Sequence, residues 1–127
     1  MTRSTRLRTL PIAFLGLVSM VVLVSASGVE NPEHTQQAKT TKSCVQCDLS
    51  SADLSGLQAP KGDFTGANFS SAKLYKADLS DGEFNSANFL DADLTGANLE
   101  GAKHLNLTGA KTTERTTCPD GEPGPCK

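Results

Sequence analysis

Four cysteines and two histidines are the residues best equipped for chemistry in this 127-residue chain. Cys44 and Cys47 stand as CVQC, and that spacing serves either a redox pair or half of a tetrahedral zinc site. Cys118 and Cys126 bracket CPDGEPGPC, which is not zinc-knuckle spacing, and no thioredoxin-like βαβ pattern surrounds Cys44. The cysteines therefore read first as structural staples. His34 lies in a polar stretch and His104 closes the regular part of the chain, each without a catalytic partner at motif spacing. DADLTG from Asp91 resembles the start of a calcium loop, yet the twelfth position, which needs a bidentate Glu, is Ala102. Asn68-Phe69-Ser70 and Asn106-Leu107-Thr108 satisfy the glycosylation sequon, the first as a by-product of a repeat. No nucleophile elbow, phosphate loop or dinucleotide fingerprint is present. No catalytic, cofactor-binding or metal-ligating residue is assigned, and the expectation is a non-enzyme without a cofactor.

Those residues have to be carried by something, and the N-terminus says where. Arg3, Arg6 and Arg8 precede LPIAFLGLVSMVVLV, an apolar run of secretory length, and Ser25-Ala26-Ser27-Gly28 supplies the small residues a signal peptidase accepts. Residues 1–27 are assigned to a signal peptide with cleavage near Ala26. The apolar run is shorter than the roughly 20 residues that span a bilayer. The expected location is exported, periplasmic or extracellular, with no membrane association after cleavage. The twelve Lys and Arg fall to nine once the three leader arginines are removed, against fourteen Asp and Glu, a net charge near minus five. A chain this acidic lacks the clustered cations that nucleic acid requires. Four Cys in a short exported chain favour disulfides.

Residues 28–43 are almost devoid of apolar side chains and read as a flexible linker. From Cys47 to about Lys103 a large apolar residue recurs every fifth position: Leu49, Leu54, Phe64, Phe69, Leu74, Leu79, Phe84, Phe89, Leu94 and Leu99. Two residues before each stands a small one in most units, such as Ala52, Gly62, Ala67, Ala72, Ala77, Gly82, Ala87, Ala92 and Ala97, usually with Asp or Asn between. A helix would scatter this period around all its faces, and a long strand would alternate faces from unit to unit. Within one unit the small and large residues both point inward from a short extended segment. The chain must then turn a corner every five residues.

KADLS, SANFL, DADLT and GANLE resemble the motif of the pentapeptide-repeat family, in about eleven consecutive units from Cys47 to Ala102. The resemblance implies an all-β fold, a right-handed quadrilateral β-helix with four units in each coil. Residues n and n+20 would then stack at about 4.8 Å. KGDFTGANFSSAKL, from Lys61, and DGEFNSANFLDADL, from Asp81, keep the same residue at seven such pairs, among them Phe64/Phe84, Asn68/Asn88 and Leu74/Leu94. Asp53, Lys73 and Asp93 fall on one outward ladder. About three coils follow.

The frame breaks twice. In LQAPK, Leu57 and Ala59 exchange the small and large positions and Pro60 cannot donate to a ladder, so an edge or a modified corner is expected there. At His104 the frame fails again and the helix is expected to stop, with the β-helix drawn as 44–111 and a Cys-bracketed tail or cap as 112–127. Three coils would hold the two ends about 15 Å apart, beyond the reach of a disulfide, which favours local pairing of Cys44 with Cys47 and Cys118 with Cys126.

Two function classes remain. One is a non-catalytic exported scaffold or interaction module holding a protein partner that the sequence does not name, with self-association through an end coil as a further option. The other follows from the resemblance: some cytosolic members mimic DNA with an acidic β-helix and bind topoisomerases. The leader, the shortness of the helix and Lys73, Lys76 and Lys103 on its sides favour the first. Redox or zinc chemistry through the cysteines is a distant third.

Overall fold

The computed structural model describes residues 30–127. The signal peptide assigned to residues 1–27 lies outside the described residues.

Each five-residue unit ends in a tight turn. Ala52 N–H donates to Leu49 O at 3.1 Å, and the same bond recurs from Ala67 to Phe64, Ala77 to Leu74 and Ala97 to Leu94. The third residue of each turn has positive φ, as in Ser51 at 58°, Lys76 at 55° and Gly96 at 72°. A closing bond between first and fourth residues with positive φ at the third is a type II turn. Ser, Lys and Asp fill many of these left-handed positions, so the ladder and the filled interior together outweigh the local steric cost of about 1–2 kcal/mol.

Between corners only one central residue pairs on each side, which is why no long strand forms. Parallel bridges link Asp48–Asn68–Asn88, Asp53–Lys73–Asp93, Gln58–Asp78–Asn98 and Asp63–Glu83–Lys103, four ladders on a twenty-residue stride. Each central residue uses its N–H and C=O toward the preceding level: Lys73 N–H donates to Ala52 O at 2.9 Å, and Leu54 N–H to Lys73 O at 2.8 Å. The result is a β-helix solenoid.

All ten large ladder residues are buried, none more than 1% exposed. Phe64 stacks on Phe84 and Phe69 on Phe89, with ring centroids 5.7 and 4.7 Å apart. Burying each such side chain contributes about 1.5–3 kcal/mol. The two glycines among the small positions are explained by these rings. A Cβ built on Gly82 would lie 2.7 Å from Phe84 Cε2, and one on Gly62 would lie 2.6 Å from Phe64 Cε2.

Three expectations need correction. Pro60 makes neither an edge defect nor a modified corner. It occupies the second position of an ordinary turn closed by Gly62 N–H to Ala59 O at 3.1 Å, the position where φ near −65° is already required. Leu57 and Ala59 are both buried there, so the exchange of sizes is absorbed by the interior. The solenoid also does not stop at Lys103. The chain crosses His104 to Thr108 outside the ladders and then rejoins two sides, pairing Lys111 with Asp93 and Thr117 with Asn98. The tail drawn as 112–127 thus supplies a ladder residue, and its hairpin closes with Pro123 opposite Thr117.

The third correction concerns the linker drawn over residues 28–43, which contains helix α1, Pro32–Thr41. Asn31 caps it by accepting from the amides of Glu33 and His34, Pro32 presets the first turn, and Lys42 ends it in the left-handed conformation. Only Thr35 and Ala38 are buried, yet Ala38 belongs to the core cluster of the solenoid. Two small residues suffice because the coil beneath is already filled by its own Leu and Phe side chains.

Candidate functional site

The surface this fold offers is built by the central residue of each unit. Asp48, Asp53, Asp63, Asn68, Asp78, Asn88, Asp93 and Asn98 each turn a side-chain oxygen back to accept the amide two residues on, all at 3.0–3.1 Å. These are Asx turns, and they satisfy a corner amide that neither ladder uses. The Asp-or-Asn preference seen in the sequence therefore has a backbone cause. Where Pro60 has no amide to offer, the central residue is Gln58, which makes no such turn, and the corner has no amide that needs one.

The same geometry fixes the charge state of the surface. Hydrogen bonding from Ser55 holds the Asp53 carboxyl below the usual carboxylate range, and Thr65 does the same for Asp63. Asp48 and Asp93 are lowered chiefly by Ser50 and Thr95. Glu83, which lacks an Asx turn, is lowered chiefly by its bond from Lys103 at 2.7 Å. Along the Asp53 side the charges alternate, Asp53–Lys73–Asp93–Lys111, with Lys111 Nζ 3.2 Å from Asp93 Oδ2. Amides form a second kind of ladder, Asn88 Nδ2 donating to Asn68 Oδ1 at 3.1 Å.

The cysteines sit at the two ends. Disulfides join Cys44 to Cys47 and Cys118 to Cys126, so none of the four retains a thiol. Cys44 and Cys47 lie under α1 at 0% and 4% exposure, out of reach of an attacking thiolate. Among the described residues no group of three His, Cys, Asp or Glu side chains converges as a metal site would require. Nor is any described helix long and apolar enough to cross a membrane. The histidines do bond, in ways that their sequence neighbours do not disclose. His34 Nδ1 accepts the Asp48 amide at 3.0 Å, and His104 Nδ1 lies 3.3 Å from Glu83 Oε2.

A four-sided solenoid with a five-residue unit and Asx-turned corners defines its class. The pentapeptide-repeat family model matches residues 47–85 and 74–103 in eight copies, and over that region the chain belongs to the pentapeptide-repeat family. Solved structures share the fold, two of them as follows. A trypsin-treated variant of QnrB1, a plasmid-mediated fluoroquinolone resistance protein, superposes with a TM-score of 0.53 at 20% identity. The match covers 60% of this chain but only 36% of that one. The pentapeptide repeat protein alr5209 from Nostoc Pcc 7120 matches with a TM-score of 0.52 at 22% identity, over 80% of this chain and 93% of that chain. At these identities the likeness is one of fold. No curated protein matches the chain by sequence.

Proposed function

We propose that this protein is a non-catalytic, exported pentapeptide-repeat scaffold, a right-handed coil of about three turns that presents its outer ladders to a protein partner. The observation that carries this reading is the state of the polar groups. Carboxylates and amides of the outer rows are committed to corner amides and cross-level pairs, the interior is filled by Leu and Phe, and the cysteines are oxidised in pairs. Groups held this way make a rigid, patterned surface and leave no poised acid, base or nucleophile. Disulfides at both ends suit an oxidising compartment, which supports the leader assigned to residues 1–27. Protein recovered from a periplasmic or culture fraction should begin near Ala26 on N-terminal sequencing. Intact Met1 in a membrane fraction would overturn export.

The second reading, a DNA-mimicking topoisomerase binder, draws on the fold shared with QnrB1. Against it stands the Asp53–Lys73–Asp93–Lys111 ladder, because a phosphate-like row needs one sign of charge while this row alternates. A leaderless form produced in a bacterial cytoplasm should leave fluoroquinolone susceptibility unchanged, and a clear rise in resistance would favour this second reading.

A further inference from the structure

The two histidines of the chain bond at opposite places, His34 through a bare Nδ1 that accepts a backbone amide and His104 through an Nδ1 that faces the Glu83 carboxylate. Central residues of the first level point their N–H groups toward the N-terminal mouth, where no preceding coil exists to receive them. Ser43 Oγ receives the amide of Asp63 at 2.9 Å, and His34 Nδ1 receives that of Asp48 at 3.0 Å. The amides of Asp53 and Gln58 find no partner among the described residues. An imidazole nitrogen can accept from an amide only when it carries no proton.

We propose that His34 is an acid-sensitive latch that holds α1 on the open N-terminal edge of the solenoid. When Nδ1 takes up a proton, it faces the Asp48 amide donor to donor, and the first turn of α1 loses its bond to the coil. The groups that face the ring act in both directions. Asp48 on the coil attracts the proton, while the positive N-terminal end of α1, whose first turn contains His34, repels it and the acidic Glu33 of that turn offsets part of this. A ring whose Nδ1 is protonated and drawn to the Asp48 carboxylate still cannot accept the amide. The far end of α1 is held differently, by the left-handed cap at Lys42 and by Cys44, whose N–H donates to Asp63 O at 2.8 Å, so release starts at His34 and not at the disulfide. His104 is bonded differently, its Nδ1 facing the Glu83 carboxylate beside Lys103 and no backbone amide.

Amide hydrogen exchange on the full chain tests this, read as protection factors so that the intrinsic pH dependence of exchange is removed. Between about pH 7.5 and about pH 5, the range over which histidines change charge, protection of the Asp48 amide should fall at least about tenfold. The Asn68 amide, bonded to Cys47 O one level in, should keep its protection. His34→Gln, whose oxygen does not titrate, should give Asp48 protection that is independent of pH over this range, and His34→Ala should leave Asp48 unprotected throughout. Wild-type Asp48 protection unchanged in acid, parallel loss at Asn68, or a protected Asp48 amide in His34→Ala at neutral pH would each overturn the latch. Should His34→Ala fail to fold, the wild-type titration alone still decides.

Discussion

The repeated middle of this molecule and its two unrepeated ends solve the same problem by opposite means. In the middle, every level satisfies the one before it: Asp93 N–H donates to Ala72 O, Leu74 N–H to Asp93 O, and Phe69 stacks on Phe89. At the ends that partner is missing, and each end improvises. The N-terminal mouth takes a capped helix, a histidine and a disulfide, whereas the C-terminal one takes a proline-rich hairpin and a disulfide. Pro119, Pro123 and Pro125 on that hairpin have no N–H to present, which blunts the last edge against pairing with another chain. A solenoid is uniform where neighbours make the rules and particular where they run out.

The largest expected effect lies in the middle. Phe84→Asp puts an unpaired carboxylate among Phe64, Phe69 and Phe89 and should cost several kcal/mol, enough to unfold the domain. Asp93→Lys, on the exterior of the next level, should leave it folded with a change under about 1 kcal/mol. Thermal melts of the two variants check the pair, and similar midpoints would refute the division into filled interior and outer ladders.

At the C-terminal end, Cys126→Ser opens a short loop worth about 2–3 kcal/mol by the chain-entropy model. The Thr117 rung should loosen while the middle stays intact. Sedimentation should then show more oligomer from the exposed edge, with little change in far-ultraviolet dichroism. Collapse of the whole fold would mean that middle and ends are not separable. Next in size is Gly82→Ala, which forces a methyl against the Phe84 ring and should destabilise by about 1–3 kcal/mol through overpacking. Gly56→Ala meets nothing within 4 Å and costs only its left-handed backbone, so it should be the milder of the two in denaturant titrations.

The same contrast decides what the sequence could disclose. Leu49 to Leu99 were legible as inward columns because a period of five stacking on twenty writes the contacts into the pattern itself. The Asp and Asn between them were visible as a preference, but their Asx turns were not, since a side-chain bond to the chain's own amide leaves no long-range signature. Helix α1 escaped a reading based on apolar content because it buries only Thr35 and Ala38, although its signal stood in Asn31-Pro32-Glu33. The last rungs escaped because the stride shortens from twenty to eighteen at Lys111, which takes the chain out of frame without taking it off the ladder. His34 and His104 lacked partners in sequence because theirs are fourteen and twenty-one residues away.

The smallest effect expected belongs to the outer ladders, and it is a dependence on pH. Asp48, Asp53, Asp63, Asp93 and Glu83 all have carboxyls held below their ordinary range in the folded chain, the aspartates chiefly by bonding from the Ser or Thr two residues on. A lowered folded pKa contributes stability that is fully present above the unfolded value, and it is lost as pH falls through the folded one. Apart from the histidines, urea midpoints should therefore hold steady down to about pH 5 and decline below about pH 4. These groups are exposed and screened, so each share is modest. Asn68, Asn88 and Asn98 already make the same turn with an amide that does not titrate. Asp53→Asn combined with Asp63→Asn should accordingly keep the neutral-pH midpoint while flattening part of the acid decline. An acid limb as steep as that of the wild type would show that the corner carboxylates are not what acid attacks, and that the ends give way first.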